Sequence, residues 1–447
     1  MKHLLLLLLL TSCCASFAQL PYQNISYADA LKRSAAENKL ILIQYESATC
    51  TQCNEVADKG LNDAKVVAQL APAFICLKVD VQHPDRSLIG AQYNIEKSFG
   101  TLFIDRNGTL IHKFPGSTTF AAKYAEQADM ALQKAGEGVK LSELEKEYKA
   151  GNKSPGILEA LLIKKRSLNL PTDDLLDEYA TSLPADSSKA IRTLQFIASM
   201  APILGSKADQ VLRADRNAFN TAWYAMDLPK RANFNSAIIF KSMAKAVAEK
   251  NIAFAIRTAS FTRGTYDTNP AAGEKAFDAN MLHYYEAIND TVNYFPRAIA
   301  YYEKYFMHLS ADSISKIDSQ KSMAQLNSKP GDTVRMGDKV VIKKSVISNP
   351  VAQNFTNTLS NAALTFYQKT DNPYYLAIAL EWVTKSLTFF ETPEALNIDA
   401  LLLYKLGQKG KAIATEEKVI AIRKQRGFPI EDNSILLERM KKDLPIN

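Results

Sequence analysis

The run Leu40-Ile41-Leu42-Ile43-Gln44-Tyr45-Glu46-Ser47-Ala48-Thr49-Cys50-Thr51-Gln52-Cys53-Asn54-Glu55-Val56-Ala57-Asp58-Lys59 changes character at its two cysteines. Its first seven residues have the length and apolar composition of a buried strand. The residues after Cys53 read as a helix. A Cys-x-x-Cys at such a junction puts Cys50 at a helix N-terminus, where free backbone N–H groups and the helix dipole favour a thiolate over a thiol. The spacing lets the Cys53 sulfur fold back onto Cys50, so the pair can cycle between dithiol and disulfide. Cys50 is therefore the candidate nucleophile and Cys53 the candidate resolving thiol of a redox-active disulfide.

Two other readings of the pair compete with this one. Zinc wants three or four ligands, but there is no second Cys-x-x-Cys, and His3, His83, His112, His283 and His308 are isolated in sequence. No metal or cofactor is expected on that basis. A structural disulfide remains as an alternative, although so tight a loop is commonly reducible. Cys76, on the apolar run Phe74–Val81, reads as a packing residue. Glu46 shares a strand face with Gln44 and lies nearer the cysteines, which makes it the candidate proton relay; the alternative is a strand-end residue in water.

The flanks extend the pattern. Ser26-Tyr27-Ala28-Asp29 reads as a capping box opening a helix through about Asn38. After the cysteines come a helix at Asn62–Leu70, a strand at Phe74–Val81, a helix at Arg86–Tyr93, strands at Thr101–Asp105 and Thr109–Phe114, and a helix over about Thr119–Lys134. This order, with Asn38-Lys39-Leu40, Cys50–Cys53, Lys65-Val66-Val67 and Phe74 through Lys78-Val79-Asp80, resembles the secreted bacterial branch of the thioredoxin-like family. The resemblance covers about residues 24–136. It implies a thioredoxin fold, exchange of disulfides with client proteins, and substrate contacts at Thr49, Gly100, Thr101 and Gly116. The chain departs from the family in three places: Thr49 stands for the usual tryptophan, Gln44 for the buried carboxylate, and Phe99-Gly100 for the cis-proline ahead of Thr101.

The N-terminus carries a leader pattern. Met1-Lys2-His3 is basic, Leu4 to Leu10 is an unbroken apolar run, and Ser16-Phe17-Ala18 offers small residues for cleavage after Ala18. Leu10-Thr11-Ser12-Cys13 also resembles a lipoprotein box, which would make Cys13 a lipid anchor. Either route leads to an oxidising space outside the cytoplasm, the periplasm of a Gram-negative bacterium being the expectation. Neither leaves a transmembrane segment in the mature chain. The net charge of +7 over 447 residues is a mild excess without a nucleic-acid motif, and no phosphate loop, serine triad or paired-carboxylate site is present.

Beyond residue 140 the sequence is rich in helix formers. Apolar-periodic segments recur at Gly156–Ser167, Thr172–Thr181, Lys189–Ala201, Asn235–Lys250, Gly273–Ile288 and Phe295–His308. Near the end, Ala379 recurs as Ala412 and Leu380 as Ile413, a spacing of 33 residues, with Gly407 between them. That punctuation resembles the tetratricopeptide repeat. The aromatic-rich stretch Tyr284–Phe306 reads as helix-packing core. Residues 311–350 are polar and read as a long loop with a small hairpin at Val340-Val341-Ile342.

The expected architecture is an α/β thioredoxin fold followed by an all-α tetratricopeptide-like solenoid. Its parts are a signal peptide over 1–18, a thioredoxin-like domain over 24–136, a helical repeat-like region over 141–310, the loop over 311–350 and helical hairpins over 351–447. The expected function is an extracytoplasmic thiol–disulfide oxidoreductase, whose helical region binds protein clients or a membrane redox partner. The alternative is a non-catalytic scaffold carrying a vestigial thioredoxin domain.

Overall fold

The computed structural model describes residues 19–136, 140–266, 268–328, 332–336, 339–343 and 349–446. The signal peptide expected over 1–18, with Cys13, lies outside the described residues. The chain divides into two compact units, the first ending at Ile238 and the second beginning at Ile239.

The first unit opens with α1 (Tyr27–Glu37), β1 (Leu40–Tyr45), α2 (Thr51–Leu61), α3 (Ala64–Ala73), β2 (Phe74–Val79), α4 (Arg86–Tyr93), β3 (Gly100–Ile104), β4 (Leu110–Pro115) and α5 (Ala121–Gly136). This is the element order expected from the sequence. The sheet runs β2-β1-β3-β4, with β2 parallel and β3 antiparallel to β1. Side chains alternate across it. Ile41, Ile43 and Tyr45 face one way, against Tyr27, Ala30 and Ile89 of α1 and α4. Leu42, Phe74, Cys76 and Phe103 face the other way, against Leu61, Leu70, Tyr124 and Ala128 of α2, α3 and α5. Gln44, Lys78 and Thr101 follow the same alternation and stand on the face that carries α2.

The first of these cores does not close at α5. After α5 come α6 (Leu141–Lys149), α7 (Pro155–Ser167), α8 (Asp173–Ser182), α9 (Ala185–Ser188), α10 (Ile191–Ser199), α11 (Lys207–Arg213) and α12 (Arg216–Tyr224). Leu141, Leu144, Leu158, Leu161, Leu176 and Leu194 belong to one contiguous apolar cluster with Ile43, Ile104 and Leu110. The core on this face of the sheet thus continues into helices from beyond residue 140, and that burial rather than local propensity holds these short helices. α13 (Leu228–Ala248) carries the chain across the division. The helical region expected over 141–310 is thus parted inside one long helix.

The second unit continues with α14 (Ile252–Gly264), α15 (Pro270–Ala287), α16 (Thr291–Tyr302) and a π-helical turn at Glu303–Met307. Then follow α17 (Ala311–Ser328), the hairpin β5 (Asp332–Met336) and β6 (Lys339–Lys343), and α18 (Pro350–Lys369), α19 (Pro373–Phe389), α20 (Pro393–Lys405), α21 (Lys409–Gln425) and α22 (Glu431–Lys441). From α18 to α22 each helix packs on its successor. Joined by short turns, they run as helical hairpins. The aromatic stretch is core: Tyr284, Tyr294 and Phe306 are buried, Phe295 meets Phe366 at 4.8 Å, and Phe366 meets Trp382 at 4.7 Å between ring centroids.

The expectation of a loop over 311–350 needs correction. Its hairpin is present, but Ala311–Ser328 is helical. Ser310 caps that helix by accepting from the Ser313 N–H (3.1 Å). Ile314 is buried with Val351 and Ala352, and the buried Asp318 carboxylate accepts from the Val351 and Ala352 N–H groups at 2.7 and 2.9 Å. Hydrogen bonds to a charged group of this kind contribute about 1.5–3 kcal/mol each. A polar helix whose buried residues, among those described, are one isoleucine and one carboxylate has no periodicity to read.

Among the described residues no helix is long and apolar enough to cross a membrane. No cluster of three or more His, Cys, Asp or Glu there could hold a metal ion.

Candidate functional site

The C-terminal ends of β1, β2 and β4 and the start of β3 meet at one edge of the sheet, as their pairings require. The turn from β1 to α2 lies there and is fastened by two side chains. Ser47 Oγ accepts from the Cys50 and Thr49 N–H groups (3.1 and 3.3 Å). Asn54 closes the clasp from α2: its Oδ1 accepts from the Ser47 N–H (2.8 Å) and its Nδ2 donates to the Ser47 carbonyl (3.0 Å). The Cys50 backbone is thereby fixed before the helix begins.

Cys50 is the N-cap of α2, and its sulfur accepts from the Cys53 N–H at 3.2 Å. Helices use oxygen in this position to satisfy a free N–H; here a sulfur does so, and the same contact stabilises a thiolate once the bond is reduced. Cys50 and Cys53 are joined as a disulfide with a Cα–Cα distance of 5.3 Å. Both are half-buried, while Thr49, Thr51 and Gln52 around them are exposed. A sulfur so placed can be reached by another chain.

Beneath α2 lies a charged group of three. Lys78 Nζ pairs with Glu46 at 2.9 Å and with Asp58 at 2.9 Å. Burial works to lower the Lys78 pKa, and the hydrogen bonds from Asp58 and Glu46 outweigh it, so the ammonium is held above its ordinary value. Tyr22 lies beside this group, 5.8 Å from its ring centroid to Lys78 Nζ. Its buried hydroxyl has no hydrogen-bond partner among the described residues. Burial first, then the neighbouring Asp58, raises its pKa. Gln44 is 1% exposed, and its Oε1 accepts from Thr101 Oγ1 at 2.9 Å. It closes the sheet with a neutral hydrogen bond.

Gly100 faces Tyr45 on β1 and Pro115 on β4. Its φ is +151°, and a Cβ there would stand 2.3 Å from the Phe114 carbonyl oxygen. Only glycine fits. Gly116, with φ +81°, donates to the Phe99 carbonyl at 2.9 Å. Thr49, Gly100, Thr101 and Gly116 therefore come from three separate segments to the sheet edge that carries the disulfide, with Thr101 buried and tied to Gln44. Cys76 is apart from this chemistry. It is a free, buried thiol opposite Leu42, and burial pushes its pKa up to about 12.

A model of the thioredoxin-like family matches residues 21–105. Those residues form a thioredoxin-like domain. The match takes in β1 to β3 and both cysteines, and β4 and α5 complete the sheet and its cover beyond it. A solved disulphide isomerase from Xylella fastidiosa Temecula1 is similar at 20% identity, over 26% of this chain and 95% of that one, with a TM-score of 0.19. No curated protein matches the chain.

The sequence pointed to Cys50, Cys53 and Glu46 but not to the Ser47–Asn54 clasp, Asp58 or Tyr22. Asn54 and Asp58 stand four apart on one stripe of α2, a polar stripe on a helix that lies against a sheet. That was the available signal.

Proposed function

We propose that the chain is an extracytoplasmic thiol–disulfide oxidoreductase acting on protein clients through Cys50 and Cys53. The observation that carries this reading is the half-exposed disulfide at the N-terminus of α2, with the Cys53 N–H aimed at the Cys50 sulfur. In the reduced protein, the Cys50 thiolate attacks one sulfur of a client disulfide. A mixed disulfide forms and a client thiolate leaves. The Cys53 thiolate then attacks Cys50 Sγ, restoring the Cys50–Cys53 bond and releasing the second client thiol. Two electrons pass from protein to client, and the same steps in reverse oxidise a client dithiol. Glu46, held by Lys78 on the face beneath α2, takes the Cys53 proton in this scheme, since Gln44 has none of the required acidity. Thr49, Gly100 and Gly116 supply the backbone edge along which the client lies.

The leader pattern over 1–18 supports a place outside the cytoplasm, with Cys13 as the alternative lipid anchor. The helical hairpins, tetratricopeptide-like in their spacing, are the part that recruits a client or a membrane partner. A second reading, a scaffold with a structural disulfide, is favoured by the neutral Gln44–Thr101 bond where a relay carboxylate would stand.

Reduction of a disulfide-linked peptide reporter by the mature protein, beside Cys50→Ala, separates the two. The enzyme reading expects a loss of at least a hundredfold in the variant. Equal turnover by both proteins, or turnover by neither, leaves the scaffold.

A further inference from the structure

The second unit contains a groove of about 600 Å³ formed by α19, α20 and α21. Leu380 and Leu387 from α19 and Leu403 from α20 give it aliphatic walls. Asp399, half-buried on α20, lines it with Thr384 of α19, which is its hydrogen-bond partner. Lys411, exposed on α21, also lines it, and its Nζ is engaged by Gln408 Oε1 at 3.0 Å.

Asp399 combines the lack of a counter-charge with a place on the groove. Glu46 is answered by Lys78, Asp209 by Arg213, and Asp318 by two backbone N–H groups, while Glu416, fully buried with the Asn433 amide as its donor, does not line the groove. Asp399 has a neutral hydroxyl and leucine side chains. Partly withdrawn from water and facing open space, it lacks the cation that such a group requires. An ammonium on a straight alkyl stem fits both features of the groove, because the stem covers leucine while the head reaches the carboxylate. A branched or aromatic cation would forgo one or the other.

We propose that this groove binds a lysine side chain presented by an extended segment of a partner protein. The inference rests on the reading of the helical unit as the partner-binding part, and it names the chemistry recognised there. It is independent of the thiol step.

The test uses the mature full chain and three peptides, acetyl-Gly-Lys-Gly-amide and its norleucine and arginine counterparts, followed by NMR titration. At pH 7.5 the lysine peptide is expected to bind at least tenfold tighter than the norleucine peptide, which has the stem without the charge, and tighter than the arginine peptide. Asp399→Asn, with its fold checked by circular dichroism, should abolish the preference over norleucine. Only Asp399 and Lys411 titrate among the groove's lining residues. Since burial raises the Asp399 pKa to about 6, the preference should fade as the pH drops from 7.5 to 5. Cys50→Ser should bind all three peptides as the parent does. Absence of disulfide reduction by the parent protein, with its lysine preference kept, sinks the enzyme reading alone. Equal binding of the lysine and norleucine peptides, binding of neither, arginine binding as well as lysine, or a preference that survives Asp399→Asn overturns the lysine groove.

Discussion

Beneath α2, every charge has its answer within the fold: Lys78 holds Glu46 and Asp58, and Gln44 and Thr101 satisfy each other. In the helical unit, Asp399 lines a groove with the Thr384 hydroxyl as its partner, and Lys411 on the same groove is engaged by Gln408. The two regions handle buried charge in opposite ways, although the neutral Tyr22 hydroxyl beside the first has no hydrogen-bond partner among the described residues. A closed network rigidifies the ground under a reactive sulfur, where small shifts alter reactivity. An unanswered charge destabilises the free protein slightly and is useful only where something arrives to meet it. The glycines divide along the same line. Gly100 is locked against the Phe114 carbonyl, whereas Gly407, with φ +76°, has open space where a Cβ would go.

The sharpest way to break the comparison is at those glycines. Gly100→Ala must move β3 away from β4 as well as adopt a backbone region closed to L-residues, and should cost about 3–4 kcal/mol or more. Gly407→Ala meets only the backbone penalty, about 1 kcal/mol. Denaturant unfolding of both variants checks this. Equal losses would show that the tight packing at Gly100 is not real.

Lys78→Met comes next. It leaves Glu46 and Asp58 side by side without their ammonium, with side chains 15% and 34% exposed, so the stability loss should be about 1–2 kcal/mol. Like charges left together favour protonation of one carboxylate. The pH profile of disulfide reduction should therefore shift upward in the variant if Glu46 receives the Cys53 proton. A profile identical to the parent's would remove Glu46 from the mechanism and leave the three charges a purely structural role.

How much of this could be read from the sequence depends on the range of the interaction. The strand Leu40–Tyr45, the Cys-x-x-Cys and the helix after it are local signals, and each element of the α/β region lies where its pattern put it within three residues. Gly100 was visible as an oddity, but its reason lies in a carbonyl fourteen positions on, across a strand pair. The Lys78–Asp58 and Ser47–Asn54 contacts join separate elements and leave no periodic trace. α17 stayed hidden because Ile314 and Asp318 are its buried residues in the part described, and the division at Ile238 falls in the interior of a helix whose only proline, Pro229, stands at its start. The groove at Asp399 needs three helices before it exists.

The smallest expected effect tests the other half of the comparison. If Asp399 is uncompensated in the free protein, its ionisation works against folding. Its folded pKa, raised to about 6 by burial, lies above the ordinary 3.8. The stability associated with it is therefore fully present below about pH 3.8 and is lost as the pH rises through about 6. Asp399→Asn removes that loss. Because the groove is open to water, the gain should be modest, about 1 kcal/mol above pH 6.5, shrinking to nothing near pH 4. Thermal unfolding of parent and variant at pH 4, 5.5 and 7.5 reads the difference directly. A variant equally stable at all three values would mean that water already answers this carboxylate. The groove would then have no reason to prefer a cation.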